Sequence, residues 1–334
     1  MVRVVIATPL EQELVDRLRA VDDRLDVAFD AGLLPPPRFP CDHAGDPEFR
    51  RTPEQEARFA AMVSGAEVLF GYPREDPAQI AWAVRIAPNL RFVQATFAGA
   101  GQQLAAAGLT PDELERIAWT SSAGVHATPL AEWSLFGILA LTKGLPRLLA
   151  DKRDRRWVEH YPVDEVRGST VLVVGFGSIG REVARLAEPF GMRVLSVRRR
   201  EGDLDELLPQ ADSIVLTLPL TDETRGLFDR ARIARMRDGA ILVNVGRGGV
   251  VDEAALAEAL RSGKLRGAAL DVFAHEPLPA DSPLWELDNV ILSPHTAALS
   301  VHESERIVDL FADNLRRYLA GEELRSRIRT DLFY

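Results

Sequence analysis

A single cysteine, Cys41, stands in a chain of 334 residues. No intramolecular disulfide can form and no thiolate cluster can bind a metal, which fits a reducing cytoplasm. We expect no metal site. Positive charge is also short: 40 Lys and Arg against 50 Asp and Glu leave a formal charge of -10. Nucleic-acid binders need a basic stripe to neutralise phosphates, so no nucleic-acid partner is expected. Long apolar runs are missing too. The longest candidate, around Leu130 to Leu145, contains Glu132 and Lys143 and falls short of the ~20 uninterrupted apolar residues that span a bilayer. The opening MVRVVIATPL is too short for a signal-peptide core and reads as a buried strand. No membrane partner and a cytoplasmic location are expected. No repeat of fixed period is present, which excludes solenoids and propellers.

What remains is an ordinary globular composition, 46% apolar and 27% charged, and at about 100 to 200 residues per domain the length predicts two domains. The pattern alternates strand and helix. Val2 to Ala7 is β-branched, Glu11 to Ala20 has helical spacing, and Leu25 to Phe29 reads as a second strand. Residues 31 to 54 interrupt this with a Pro-rich stretch, expected as a long surface loop because proline lacks the N–H donor. Alternation resumes with helices over Glu54 to Val63 and Pro77 to Ala87 and strands at Glu67 to Phe70 and Arg91 to Ala95. Thr128 and Pro129 suit the capping and first positions of one long helix, Leu130 to Leu149. After a polar segment comes the strongest strand, Thr170 to Val174, and alternation continues through Val290 to Leu292 before a final helix at Val301 to Leu319. This predicts parallel sheets covered by helices on both faces.

The segment TVLVVGFGSIGREVARLA places Gly175, Gly177 and Gly180 in G-x-G-x-x-G spacing between an apolar strand and an amphipathic helix. In that context the first glycine permits the turn, the second lets backbone approach a pyrophosphate, and the third lets the helix pack on the strand. Such a fold ends its second strand with an acid, about 20 residues on, that accepts from the adenosine ribose. Here the second strand, Arg193 to Val197, is followed by Arg198, Arg199 and Arg200. Guanidinium forks suit a 2'-phosphate, so Arg198 and Arg199 predict NADP(H) as the preferred cofactor, with NAD(H) possible.

Downstream, Arg247 follows a buried strand in a glycine-rich turn, Asp271 ends another strand, Glu276 lies in a Pro-bounded loop, and His295 follows Pro294 after a third strand. All fall at strand carboxyl ends, where doubly wound sheets bind ligands. Reduction of a 2-oxo acid needs a clamp for the carboxylate, polarisation of the ketone, and a proton for the developing alkoxide. Arg247 supplies the fork, His295 the proton, and Glu276, bonded to the ring, fixes the tautomer and favours the imidazolium.

With these residues the chain resembles the D-isomer-specific 2-hydroxyacid dehydrogenase family. The matching stretches are GFGSIGREVA at 175 to 184, LPLTDETRGLF at 218 to 228, NVGRGGVVDEAAL at 244 to 256, ALDVFAHEPL at 269 to 278 and SPHTA at 293 to 297. The resemblance implies an α/β protein of two Rossmann-like doubly wound domains. A cofactor domain, 122 to 298, is inserted into a discontinuous substrate-binding domain, 1 to 121 with 299 to 334. It implies that Arg247, Glu276 and His295 are catalytic, with Arg247 and His295 also holding the substrate. Ser178 and Ile179 would meet the cofactor phosphates, Leu218, Pro219, Thr224, Val245, Gly246 and Ala297 would line its bed, and Asp271 would contact the carboxamide. The turn TFAGAGQQL assigns Gly99, Ala100 and Gly101 to the substrate carboxylate, although the family's Asp is replaced after it by Gln102 and Gln103. The loop at 71 to 76 would border the pocket, with Arg74 a candidate for a second anionic group.

The expected activity is hydride transfer between NADP(H) and a small 2-oxo acid or D-2-hydroxy acid, as in a glyoxylate or hydroxypyruvate reductase, in a homodimer packed through the helix at 130 to 149. Two alternatives remain from the same resemblance. One is a non-catalytic, corepressor-like dinucleotide sensor, and the other is formate oxidation, which pairs the histidine with glutamine where this chain has Glu276.

Overall fold

A computed structural model describes residues 1–198 and 203–333. The chain divides into two compact units, Met1–His126 with Leu299–Tyr334, and Ala127–Ala298. The division falls after His126, five residues beyond the boundary that the resemblance implies.

The first unit begins with β1 (Val2–Ile6), α1 (Gln12–Arg19), β2 (Leu25–Ala28), α2 (Pro53–Ser64) and β3 (Val68–Phe70). It continues with α3 (Pro77–Ile86), β4 (Phe92–Gln94), α4 (Ala100–Ala106), α5 (Pro111–Arg116) and β5 (Ala118–Thr120). The strands form one parallel sheet in the order β2-β1-β3-β4-β5. Strands covered on both faces read as continuous apolar runs, and Val4, Val5, Ile6, Val68 and Phe92 are fully buried accordingly. Sequence sets the helix starts as well. Thr52 and Gln55 close a reciprocal capping box with Pro53 behind it, and Thr110 and Glu113 repeat it ahead of α5.

The second unit holds α6 (Ala127–Thr142), α7 (Leu145–Arg153), β6 (Thr170–Val174), α8 (Ser178–Ala187), β7 (Arg193–Val197), α9 (Leu204–Leu207) and β8 (Ser213–Leu216). It ends with α10 (Arg230–Arg235), β9 (Ala240–Asn244), α11 (Glu253–Arg261), β10 (Leu265–Leu270) and β11 (Val290–Leu292). Its parallel sheet runs β11-β10-β9-β8-β6-β7. The chain then returns to the first unit as α12 (Glu303–Ala320), whose Ile307, Phe311 and Leu315 pack on β1, β3 and β4 residues. Two doubly wound parallel sheets are thus present, as the alternation predicts.

Four expectations are corrected. The single helix over 130 to 149 is two, because Gly144 turns left-handed at φ 69° and Pro146 opens a new helix behind it. Thr128 is not the cap, since the helix already begins at Ala127 and the Thr128 hydroxyl donates to Glu182 of α8 at 3.5 Å. The stretch 31 to 54 is not simply a surface loop: Leu33, Leu34, Cys41, Asp42 and His43 are buried. Between the short 3-10 turn Ala31–Leu33 and α2 it is held by polar contacts rather than regular structure. Asp42 accepts from the Arg38 backbone at 3.0 Å and guanidinium at 2.7 and 3.0 Å, Arg51 stacks 3.7 Å over Phe59, and Thr8 donates to the His43 carbonyl. Finally α4, α5 and β5 were not anticipated, being elements of seven residues or fewer whose period is too short to stand out.

Candidate active site

In the second sheet, β7 lies on one side of β6 and β8 on the other, so the crevice where strand order reverses opens between the loops after β6 and β8. The glycine loop occupies it. Gly175 adopts φ 100°, a conformation closed to most side chains, and a Cβ on Gly180 would stand 2.2 Å from the Gly175 carbonyl. Gly177, at the amino end of α8, faces open space. The amide-rich end of α8 can therefore meet an anion without a side chain in the way. Ser178 and Ile179 form the first turn of that helix. On the far side of the crevice Thr217 donates to the Gly175 carbonyl, and Leu218 and Pro219 follow it. Thr224 donates to the Pro219 carbonyl at 2.7 Å and accepts from the Thr221 amide at 2.8 Å, fixing that loop.

Arg198, at the end of β7, is exposed, and its guanidinium carbon lies 5.3 Å over the Phe176 ring. Phe176 belongs to the glycine loop, so this contact places the arginine beside that loop. Arg199 lies outside the described residues.

The candidate acid–base residues lie on three loops of the same unit. His295 Nδ1 donates to Glu276 Oε2 at 2.7 Å, and Glu276 Oε1 accepts from the Phe273 amide at 3.0 Å. With Nδ1 engaged, Nε2 is the nitrogen left to exchange a proton. Partial burial works to raise the Glu276 pKa, but the bond from His295, the Phe273 amide and the charges of His295 and Arg247 outweigh it and hold the carboxyl below its ordinary value. His295 itself sits at φ 57°, a strained position for a residue with a Cβ. Its amide donates to the Asp271 carbonyl at 2.9 Å, which holds it there.

Arg247 is partly buried in the turn after β9. A Cβ on Gly248 would collide with the Phe273 carbonyl carbon at 1.8 Å, so only glycine lets this turn press against the loop that carries Glu276. Val245 and Gly246 lie in the same turn, and Ala297 is buried beside Val245 in the core over β6 and β9. Asp271 is buried, and one oxygen, Oδ1, takes all its donors: Ser293 Oγ at 2.7 Å and the amides of Thr296 and Ala297 at 2.9 and 3.0 Å. Those bonds position the 293 to 297 segment and leave Oδ2 without a hydrogen-bond partner among the described residues. All the described cofactor and catalytic candidates therefore lie within the second unit, along the carboxyl edge of its sheet. Gly99, Ala100 and Gly101 lie in the first, at the start of α4. Arg74 donates to the Phe49 carbonyl at 2.5 Å.

Two residues were missed from sequence. Asn244 is buried, donates to the Arg247 carbonyl at 3.1 Å and accepts from the Gly246 amide at 3.0 Å, so it shapes the turn that presents Arg247. Ser293 braces Asp271. The signal for Asn244 was available: a lone polar residue closing the apolar strand AILVN.

A dinucleotide crevice bordered by an arginine, a histidine and a carboxylate defines an oxidoreductase that uses a nicotinamide cofactor. Known proteins specify it further. Residues 135–297 match the model of the D-isomer specific 2-hydroxyacid dehydrogenase, NAD binding domain. The chain is 39% identical over 221 residues to the (S)-sulfolactate dehydrogenase of Chromohalobacter salexigens, covering 61% of this chain and 70% of that protein. It is 37% identical over 220 residues to the glyoxylate reductase of Korarchaeum cryptofilum, covering 61% of this chain and 66% of that one. Among solved structures, the D-isomer specific 2-hydroxyacid dehydrogenase of Xanthobacter autotrophicus, in complex with NADPH and MES, superposes with a TM-score of 0.74 at 29% identity and 99% coverage of both chains. The chain belongs to the D-isomer-specific 2-hydroxyacid dehydrogenase family, whose members are NAD(P)-dependent oxidoreductases.

Proposed function

We propose that this protein reduces small 2-oxo acids, of the glyoxylate and hydroxypyruvate type, to D-2-hydroxy acids, with NADPH preferred over NADH. The observation that carries the reading is the 2.7 Å bond between His295 and Glu276, in the unit that also carries the glycine loop and Arg247. The bound cofactor supplies the hydride. Arg247 clamps the substrate carboxylate and the keto oxygen. His295 Nε2 delivers the proton to the alkoxide, and Glu276 stabilises the imidazolium before the transfer. Asp271 Oδ2 would accept from the carboxamide, and the Gly99 to Gly101 amides, in the first unit, would donate to a carboxylate. Ser178, Ile179, Leu218, Pro219, Thr224, Val245, Gly246 and Ala297 form the cofactor's bed. The open space at Gly177 and the unoccupied oxygen of Asp271 fit a dinucleotide so placed.

Initial rates of NADPH and NADH oxidation with glyoxylate, hydroxypyruvate, pyruvate, phenylpyruvate and 2-oxoisocaproate test this. Turnover by none of these acids, despite tight cofactor binding, rejects it in favour of a sensor.

The NADPH preference rests on Arg198 and on the family relative solved with NADPH. Charge-assisted bonds to a phosphate contribute about 1.5 to 3 kcal/mol. Arg198→Ala is therefore expected to lower the ratio of kcat/KM for NADPH over NADH by roughly 10- to 100-fold. An unchanged ratio removes Arg198 from the cofactor site.

The protein forms a homodimer through an apolar hollow on the second unit, and it works in the cytoplasm. The hollow is lined by Leu135, Phe136, Leu139, Leu148, Leu186 and Phe190 from α6, α7 and the end of α8, with Phe136, Leu148 and Phe190 exposed. Apolar side chains this large, gathered on one surface, mark an association site, and resemblance to a dimeric family supplies the partner, a second copy. No helix among the described residues is long and apolar enough to cross a membrane. Phe136→Asp is expected to shift the mass measured by light scattering from dimer to monomer. A wild-type monomer at micromolar concentration contradicts the assignment.

A further inference from the structure

We infer that Glu253 is a positioning residue: it carries the rigidity of α11 to the loop that presents Glu276 to His295. This rests on the reductase reading and gives a task to a side chain that the resemblance leaves without one. The loop leaves β10 at Asp271, and residues 271 to 278 have no regular structure. Val272 and Phe273 are buried, but Ala274 to Pro277 lie at the surface. Packing therefore fixes only the first part of the loop. Two consecutive amides hold the rest. The Phe273 amide donates to Glu276 Oε1 at 3.0 Å, and the Ala274 amide donates to Glu253 Oε1 at 2.6 Å. Glu276 is thus held by its own loop, and the loop in turn by a helix outside it.

The anchor is firm. Ala255, Leu256, Ala257, Ala259 and Leu260 of α11 are buried, and the Phe228 backbone bonds both Val250 and Asp252 just before the helix. The cap of α11 is already met, since Asp252 accepts from the Ala255 amide at 3.0 Å. The Glu253 carboxylate is left to reach 21 residues along the chain. Burial does not demand that bond. An amide on a surface residue finds water when its protein partner is removed, so the fold loses little and the loop loses its place. The segment that leads into Glu253 also carries Arg247, and Gly248 packs under the Phe273–Ala274 peptide. A Cβ there would stand 1.8 Å from the Phe273 carbonyl carbon and 2.4 Å from the Ala274 nitrogen. Gly248 and Glu253 therefore hold the Glu276 loop against the Arg247 turn at adjoining points, which sets the acid–base pair relative to the clamp. Misplacing a catalytic group by about 1 Å can cost 10²-fold in rate.

The test measures kcat for glyoxylate and hydroxypyruvate with NADPH in Glu253→Ala and Glu253→Gln, each in the native and in the Glu276→Ala background. Rates are counted per NADPH-binding site from fluorescence titration, so unfolded protein does not enter. In the native background Glu253→Ala is expected to lower kcat by roughly tenfold or more, with the NADPH dissociation constant unchanged. Glu253→Gln keeps an acceptor oxygen for the Ala274 amide and stays within about threefold of the wild type. In the Glu276→Ala background Glu253→Ala is expected to lower kcat by less than about twofold, because no carboxylate is left for the loop to place. An equal factor in both backgrounds, no fall in either, or a Glu253→Gln no better than Glu253→Ala overturns the role of Glu253 and leaves the reductase intact. A wild type that reduces neither acid removes the reaction itself and overturns both readings.

Discussion

Replacing His295 with alanine is expected to lower kcat for 2-oxo acid reduction by roughly 10²- to 10⁴-fold, the range that a positioned general acid contributes, with the cofactor dissociation constant changed little. The split follows from geometry. Nδ1 is committed to Glu276 at 2.7 Å, so the chemistry belongs to Nε2, and no phosphate or ribose donor is removed with the ring. The Glu276 carboxyl is held below its ordinary 4.5, the bond from His295 and the Phe273 amide outweighing partial burial. The carboxylate partner is therefore present on both sides of neutrality, and protonation of Glu276 does not set the activity change between pH 5 and 8. Stopped-flow single turnover and fluorescence titration with NADPH separate the two effects. Turnover retained within a factor of about five would strip His295 of its role.

Arg247→Lys is expected to reduce kcat/KM by about 10²- to 10³-fold even though the charge survives. A guanidinium presents two parallel donors to a carboxylate, and an ammonium presents a point charge that cannot bond carboxylate and ketone in one fixed geometry. Losing one to two charge-assisted bonds at about 1.5 to 3 kcal/mol each accounts for the range. The native turn makes the fork still less replaceable: Asn244 holds the Arg247 carbonyl, Gly248 packs under the Phe273 backbone, and Arg247 Nη1 already donates to the Gly246 carbonyl at 2.7 Å. Steady-state kinetics with glyoxylate and hydroxypyruvate check this, and near-wild-type efficiency in Arg247→Lys would show that the arginine only braces the loop.

The second unit was the more legible of the two because its signals are local. An apolar strand, three spaced glycines and an amphipathic helix sit within about twenty residues, and β6, β7 and β11 have the bounds expected from the sequence. Arg247, Glu276 and His295 were legible as strand-end residues. Their meeting was not, since Gly248 against Phe273 and His295 at φ 57° are products of tertiary packing. The first unit read less well. Strands of three residues such as β4 and β5 offer no countable period, and the burial of Asp42 and His43 within a Pro-rich segment depends on partners elsewhere in that unit, Thr8 and Pro9 among them. Gly144 falls inside the single helix expected over 130 to 149. A glycine followed two residues later by proline was the stronger signal.

The 38 to 45 segment also bears on how many cofactor molecules one chain can hold. The first sheet reverses strand order between β1 and β3, the same architecture that opens the dinucleotide crevice between β6 and β8. There, however, the loop after β1 reads Ala7, Thr8, Pro9 with no glycine, and Thr8 is tied to the His43 backbone, whose ring reaches the Pro9 carbonyl. A segment of the chain itself thus occupies the switch point of the first sheet, and one dinucleotide per polypeptide is the expected stoichiometry.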